Sequence, residues 1–151
     1  MECQVRSATV DDTEAISRVV IAALRESNSQ DYSPDVIAQV EQSFAPEIVR
    51  TQLEKRKVFV AVRRENLIGT ASLDGDVVRS VFVDPTYQGR GIGRQLMAVI
   101  HATAAQAGAS VLRVPSSVTA EKFYTTLGYQ KIRDEFHGAE RTIVMEKRLQ
   151  G

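Results

Sequence analysis

The sequence predicts an α/β fold of the α+β kind, a mixed and mostly antiparallel sheet of about seven strands with helices on both faces. Three observations carry that expectation. Apolar residues before Lys57 recur at helical spacing, whereas those from Val58 onward form short continuous runs. Between two of those runs lies a glycine-rich turn that leads into a long amphipathic segment. A strand, a crossover helix and a second strand close right-handed, so the strands at Val77 and Val111 are expected to be parallel neighbours among antiparallel hairpins.

Element by element, Gln4 to Ser7 suits a short first strand, and Thr9 to Asp12 supply capping oxygens for a helix striped by Ile16, Val19, Val20, Ala23 and Leu24. The polar stretch Glu26 to Tyr32 predicts a loop. Ser33 then caps, and Pro34 begins, a second helix carrying Val36, Ile37, Val40 and Phe44. A third follows Pro46 through Ile48, Val49 and Leu53. Val58 to Val62 and Leu67 to Leu73 flank the polar turn Arg64 to Asn66 as a hairpin, and Asp74-Gly75-Asp76 turns the chain into Val77 to Val83. After the glycine-rich turn, Ile92, Leu96, Val99, Ile100, Thr103 and Ala107 draw a helical stripe ended by Gly108. A strand from Val111 to Val114, a helix from Thr119 to Leu127 capped by Gly128, and strands near Tyr129 to Phe136 and Thr142 to Lys147 complete the order.

Composition narrows the function without naming it. The chain has 151 residues, 43% hydrophobic and 25% charged, enough for one core. Nineteen basic side chains balance nineteen acidic ones, so no global field favours nucleic acid or an anionic membrane, and any anion site must be local. Cys3 is the single cysteine, which excludes an internal disulfide and suits a reducing cytoplasm. No apolar run approaches a bilayer span, and MECQVRSATVDD holds no signal region. Two histidines and one cysteine at unrelated positions give no metal-ligand spacing. The charges of Arg50 to Arg56 and of Arg63-Arg64-Glu65 read as solvated faces.

The chemistry concentrates in Gln88-Gly89-Arg90-Gly91-Ile92-Gly93, followed by Arg94. Three glycines let backbone N–H groups converge, and a helix N-terminus adds unpaired donors and a partial positive charge, so the natural guest is a phosphate. A nucleotide-triphosphatase loop would need Gly-Lys-Ser/Thr, but Arg94 and Gln95 follow Gly93. A dinucleotide site would need G-x-G-x-x-G and an acidic residue after the next strand, where this chain has Val114, Pro115, Ser116 and Ser117. Q-x-x-G-x-G after a strand ending Val-x-Pro instead resembles the acetyl-coenzyme A signature of the GCN5-related N-acetyltransferases, and the order of elements over nearly the whole chain fits that family. Asp31-Tyr32-Ser33-Pro34 with Ser-x-x-Ala-x-x-Phe-Tyr looks like a YafP-like bacterial branch.

That resemblance implies residues 1–151 as one N-acetyltransferase domain whose two central parallel strands splay apart around the pantetheine arm. The backbone of Val81, Phe82 and Val83 would pair with that arm, the N–H of Val83 facing the thioester carbonyl, and the amides from Gly89 through Arg90, Gly91, Ile92 and Gly93 to Arg94 would hold the pyrophosphate beside Gln88. Ser117, where relatives carry Asn, would touch the cofactor arm, and Tyr124 would protonate the departing sulfur. Relatives often carry a Glu on the strand before the loop as general base, but Val77-Val78-Arg79-Ser80-Val81 has no carboxylate. Asp74, Asp76, Glu135 and His137 remain candidates, Ser80 could orient a water, and His101 reads as structural. The implied activity is acetyl transfer from acetyl-coenzyme A to a primary amine in a ternary complex, without metal, nucleic acid or membrane, in a cytoplasmic protein that can form a homodimer. The alternative is a non-catalytic acyl-coenzyme A sensor or protein-interaction module on the same fold. The acceptor, a small molecule or peptide, would be set by the loops around Asn28 to Ser33 and Glu135 to Glu140.

Overall fold

The computed structural model describes residues 2–149, and among them seven strands form one sheet in the order β1-β2-β3-β4-β5-β7-β6. They are β1 (Gln4–Ser7), β2 (Lys57–Arg63), β3 (Asn66–Asp74), β4 (Val77–Val83), β5 (Val111–Ser117), β6 (Gln130–His137) and β7 (Glu140–Arg148). Every neighbouring pair is antiparallel except β4 and β5. The helices are α1 (Thr13–Glu26), α2 (Pro34–Gln42), α3 (Pro46–Lys55), α4 (Ile92–Gln106) and α5 (Glu121–Thr126).

Local chemistry explains most boundaries. Ser33 Oγ accepts from Val36 N–H at the start of α2, and Pro34 occupies the first turn. Asp12 takes a forked pair from Arg6 at 2.8 and 2.9 Å and accepts from Thr9 N–H at 2.8 Å, which ties β1 to the start of α1. Gly108 and Gly128 end α4 and α5 with φ of 88° and 96°.

Two apolar layers pack on opposite sides of the sheet. Leu96, Met97 and Ile100 of α4 meet Ile68, Leu112 and Ile143 on one side, where α5 adds Tyr124; Ile16, Val20 and Leu24 of α1 meet Ile37, Val49 and Val60 on the other. The stripe of α4 differs from the one expected. Met97 and Ala104 are buried, Val99 and Thr103 only half-buried, and Ala107 exposed. Both series satisfy helical spacing from Ile92, and the flexible Met97 fills the space over the sheet. Ile48, expected on the apolar face of α3, is exposed. The helix expected over Thr119 to Leu127 begins at Glu121, because Ala120 N–H donates to Ser117 O and makes a turn first. The loop Glu26 to Tyr32 contains a short 3-10 turn, Asn28–Gln30, in which Asn28 is buried.

The central strands position the site. β4 and β5 share a single aligned pair, Val77 with Arg113, whereas β5 stays paired with β7 from Val111 to Ser117. The two parallel strands therefore touch at their N-terminal ends and separate toward Val83 and Ser117. Between Arg79 and Phe82 the register slips, so Ser80 and Val81 together oppose Ala71 of β3 in a bulge. Ser80 sits there at φ 55°, a left-handed conformation that costs about 1–3 kcal/mol in a residue with a side chain.

Candidate active site

Separation of β4 from β5 leaves main-chain groups without a sheet partner. Asp84 N–H donates to Ile68 O at 2.8 Å, and alternation along an antiparallel ladder then turns the groups of Phe82 toward β3 and those of Val81 and Val83 toward the gap. Of the three residues expected to present their backbone, Phe82 instead spends it on β3. Its ring stands edge-on to Phe44, with centroids 5.6 Å apart, and forms part of the wall.

The glycine hexapeptide closes the open end of the gap. Gly89 and Gly91 have φ of 77° and 84°, and a Cβ at either would meet nothing within 4 Å, so backbone conformation is what requires glycine there. Gly93 is different. A Cβ on it would lie 3.0 Å from Phe123 Cζ, so this glycine lets α4 and α5 approach. Gly91 caps α4, leaving the first amides of the helix facing the groove. Gln88 fixes the loop by donating to Val83 O at 3.2 Å and to Ser27 Oγ at 3.0 Å. The guanidinium of Arg90 lies 5.8 Å from the Tyr87 ring centroid, and Arg90 and Arg94 are exposed.

Two cavities meet at the separated strands. One, of about 460 Å³, runs along Val83, Gln88, Gly89, Gly91 and Gly93. The other, of about 380 Å³, lies between α2 and the β4–β5 gap. Asn28, Val81, Phe82, Ser117 and Ala120 line both. A strap of chain crosses above them: Asp31 accepts from Thr119 Oγ1 at 2.8 Å, and Tyr32 donates to Arg141 O at 2.5 Å while accepting from Val118 N–H at 2.8 Å.

Three comparisons place this geometry among known proteins. The profile of the acetyltransferase (GNAT) domain matches residues 28–149. The chain belongs to the GNAT family of acetyltransferases. It is similar to the uncharacterized N-acetyltransferase YafP of Escherichia coli (strain K12), 28% identical over 135 residues that cover 87% of this chain and 84% of that protein. In fold it resembles a GCN5-related N-acetyltransferase from Rhodopseudomonas palustris, with TM-score 0.93 at 22% identity over 99% of this chain and 97% of that one. It also resembles the PaiA N-acetyltransferase of Thermoplasma acidophilum, solved in complex with coenzyme A, with TM-score 0.85 at 17% identity over 98% and 99%. The protein is thus an N-acetyltransferase, and its sheet is the mixed GNAT sheet with one parallel pair.

Tyr124 lies in the cavity beside α2. It is 3% exposed, and its ring packs edge-on against Phe123 and Tyr129 at 5.2 and 5.5 Å. Burial pushes its phenol well above the ordinary value, and no protein hydrogen bond to its hydroxyl occurs among the described residues. Ser117 Oγ accepts from Ala120 N–H at 3.2 Å, so this side chain caps a turn and keeps its own proton for the groove. His101 binds Tyr129 OH at 2.8 Å, its pKa lowered by burial and then by Lys147, and lines neither cavity.

The remaining candidates separate. Asp74, Asp76 and Glu135 line neither cavity: Asp74 pairs with Arg79 at 3.7 Å, and Glu135 with Arg133 at 2.7 Å. His137 lines the cavity beside α2 together with Glu140, a residue the sequence marked only as a loop end. Arg56 corrects the reading of Arg50 to Arg56 as solvated. It is half-buried and lines the same cavity with Arg79, because α3 ends beside the bulge of β4. Nothing in the local pattern near Arg56 distinguishes it from its exposed neighbours. Tyr32, part of Asp31-Tyr32-Ser33-Pro34, is the tie between the strap, β7 and the turn that precedes α5. Cys3 sits away from both cavities, donating to Gln95 Oε1 at 3.2 Å. No described helix is long and apolar enough to cross a membrane.

Proposed function

We propose that the protein moves an acetyl group from acetyl-coenzyme A to a primary amine by direct attack, with both substrates bound at once. The observation that carries this reading is the junction of two cavities at Val81, Phe82 and Ser117, one bounded by the glycine cradle and the other reaching Tyr124. A coenzyme A sensor needs only the first.

The residues fit the proposed donor. Gly89 and Gly91 adopt the left-handed turns that expose amides up to Arg94, for a pyrophosphate, with Arg90 and Arg94 as exposed counter-charges. Val81 and Val83 offer strand-like groups to the pantetheine amides, and the Val83 N–H hydrogen-bonds the oxygen on which charge grows. One such donor is worth about 3 kcal/mol in comparable sites. Coenzyme A bound to the structurally similar PaiA enzyme supports this choice of donor.

Tyr124 donates a hydrogen bond to the departing sulfur. Because burial raises its pKa, it is fully protonated at neutral pH. A thiol near 8.5 is the stronger acid, so the phenol acts mainly by hydrogen-bonding charge that develops on sulfur. The amine's proton leaves toward His137 or Glu140, the proton acceptors that line the acceptor-side cavity. An amine of pKa about 10.4 is short of its neutral form by roughly 4.6 kcal/mol at pH 7, and an α-amine near 8 by only about 1.4.

Initial-rate kinetics test the reading. Acetyl-coenzyme A and an amine library should give intersecting double-reciprocal lines, with free thiol and acetylated amine released in equal amounts. Tight coenzyme A binding without turnover on any amine would replace this proposal with the sensor.

A further inference from the structure

Arg56, Arg79 and Ser80 form a cluster that the chemistry above does not use. All three line the acceptor-side cavity, and none of them lines the glycine groove. Arg56 has no ion-pair partner among the described residues; its one side-chain hydrogen bond reaches Ser80 Oγ at 3.4 Å. Burial and the positive charge of Arg79 both oppose its protonation. The nearest compensating carboxylate, Asp74, is half-exposed and already paired with Arg79 at 3.7 Å. Placing two guanidinium groups together, one of them half-buried and unpaired, works against stability. The left-handed Ser80 between Arg79 and Val81 adds strain at the same spot. A planar fork with open donors in a cavity is suited to a carboxylate.

Resting on the acetyl-transfer reading, we infer that the acceptor is an amino acid with an apolar side chain, its carboxylate held by Arg56 and Arg79 and its amine turned toward Val81. Size agrees. Arg79 and Val81 are two residues apart on β4 with only the Ser80 bulge between them, which suits a compact molecule rather than an extended chain. The opposite wall is apolar, with Val36, Ile37 and Phe44. Polyamines and aminoglycosides would bring further positive charge to two arginines.

The experiment compares matched amines with and without the carboxylate. We measure kcat/KM for leucine against isopentylamine and phenylalanine against phenethylamine, with O-phosphoethanolamine and spermidine alongside. The carboxylate members should exceed their partners at least tenfold. Arg56→Met and Arg79→Met should each shrink that ratio toward one, Arg56→Lys should keep part of it, and the heat of coenzyme A binding serves as the folding control. Equal or faster turnover of the decarboxylated amines or spermidine, preference for the phosphate, or an unchanged ratio in both Met variants would overturn the inference and leave acetyl transfer intact. Calorimetry with N-acetylleucine against N-isopentylacetamide, coenzyme A present, separates the two claims. If no amine turns over, acetyl transfer fails, yet heat from N-acetylleucine that Arg56→Met abolishes still supports the carboxylate site; no selective heat overturns it.

Discussion

Tyr124→Phe isolates one hydroxyl. The ring of Tyr124 is enclosed by Phe123 and Tyr129, with centroids at 5.2 and 5.5 Å, and those contacts persist in phenylalanine. The hydroxyl has no protein partner among the described residues, so its removal should change stability by less than about 1 kcal/mol. Its proposed work is confined to the departing sulfur, where a positioned acid contributes about 10²–10⁴-fold, or about 3–5 kcal/mol of barrier. The expected result is a fall in kcat of that size with KM for acetyl-coenzyme A unchanged, read by thiol release beside a thermal melt. The defect should shrink with acetyl thioesters of more acidic thiols, which leave unaided. The acid form is the working form and its pKa is raised, so Tyr124 should cause no loss of wild-type activity as pH rises from 7 toward 10. A variant within threefold of wild type, or a loss matched by weaker cofactor binding, would refute the assignment.

Four further outcomes follow from single contacts. Gly91→Ala forces a Cβ at φ 84°, which costs about 1–2 kcal/mol and should weaken coenzyme A binding several-fold by calorimetry. Gly128→Ala combines φ of 96° with Lys147 Nζ at 2.7 Å from the new Cβ; it should lower the melting temperature while leaving coenzyme A affinity unchanged. Asp12 is held below its ordinary pKa by the Arg6 hydrogen bond, against the opposing effect of burial, so its contribution is present above about pH 4 and lost as pH falls through the lower folded value. Melting temperature should therefore fall more steeply below pH 4 in wild type than in Asp12→Asn. Tyr32→Phe strands Arg141 O and Val118 N–H, which should cost about 1–3 kcal/mol in chemical denaturation and raise KM for the amine.

What the sequence disclosed was what local pattern controls. The glycine turn, the hairpins of β2, β3 and β4 and the parallel pair follow from spacing and handedness, and β1 falls on Gln4–Ser7 as expected, whereas the insertion of β7 between β5 and β6 does not. The glycines do not act alike, however, and only coordinates separate the backbone roles of Gly89 and Gly91 from the close packing of Gly93 on Phe123. The acceptor side was far less legible. Arg56, Tyr32 and Glu140 come from the α3–β2 junction, the α1–α2 connection and the start of β7, and meet only because the sheet brings those ends to one cavity. A single sequence contains no periodicity for contacts of that range. The bulge at Ser80 was hidden for a related reason: a register slip is a property of β3 and β4 together.

The bulge also bears on how an amine loses its proton without a strand carboxylate. The stretch Val77 to Val81, where the resemblance implies a Glu, has Arg79 instead, and Arg79 shares the cavity with Arg56. A carboxylate would attract an ammonium and then remove its proton. Two guanidinium groups do the reverse, since they repel the ammonium and select the neutral amine that is able to attack. At an effective dielectric near 20, unit charges about 8 Å apart interact by about 2 kcal/mol, comparable to the roughly 1.4 kcal/mol that a peptide's α-amine lacks at pH 7 and well short of the roughly 4.6 that a lysine-like amine lacks; a free amino acid, whose own carboxylate holds its ammonium proton more tightly than a chain terminus does, lies between the two. A carboxylate seated between the arginines offsets part of that repulsion, which leaves His137 or Glu140 a smaller task rather than none. The same argument predicts that kcat at saturating amino-acid acceptor, which reports ionisations within the bound complex, rises with pH along a limb displaced below the free amine's own pKa, and that Arg79→Met moves this limb upward. A pH profile that titrates at the free amine's pKa in both proteins would show that the arginines anchor the acceptor without easing its deprotonation.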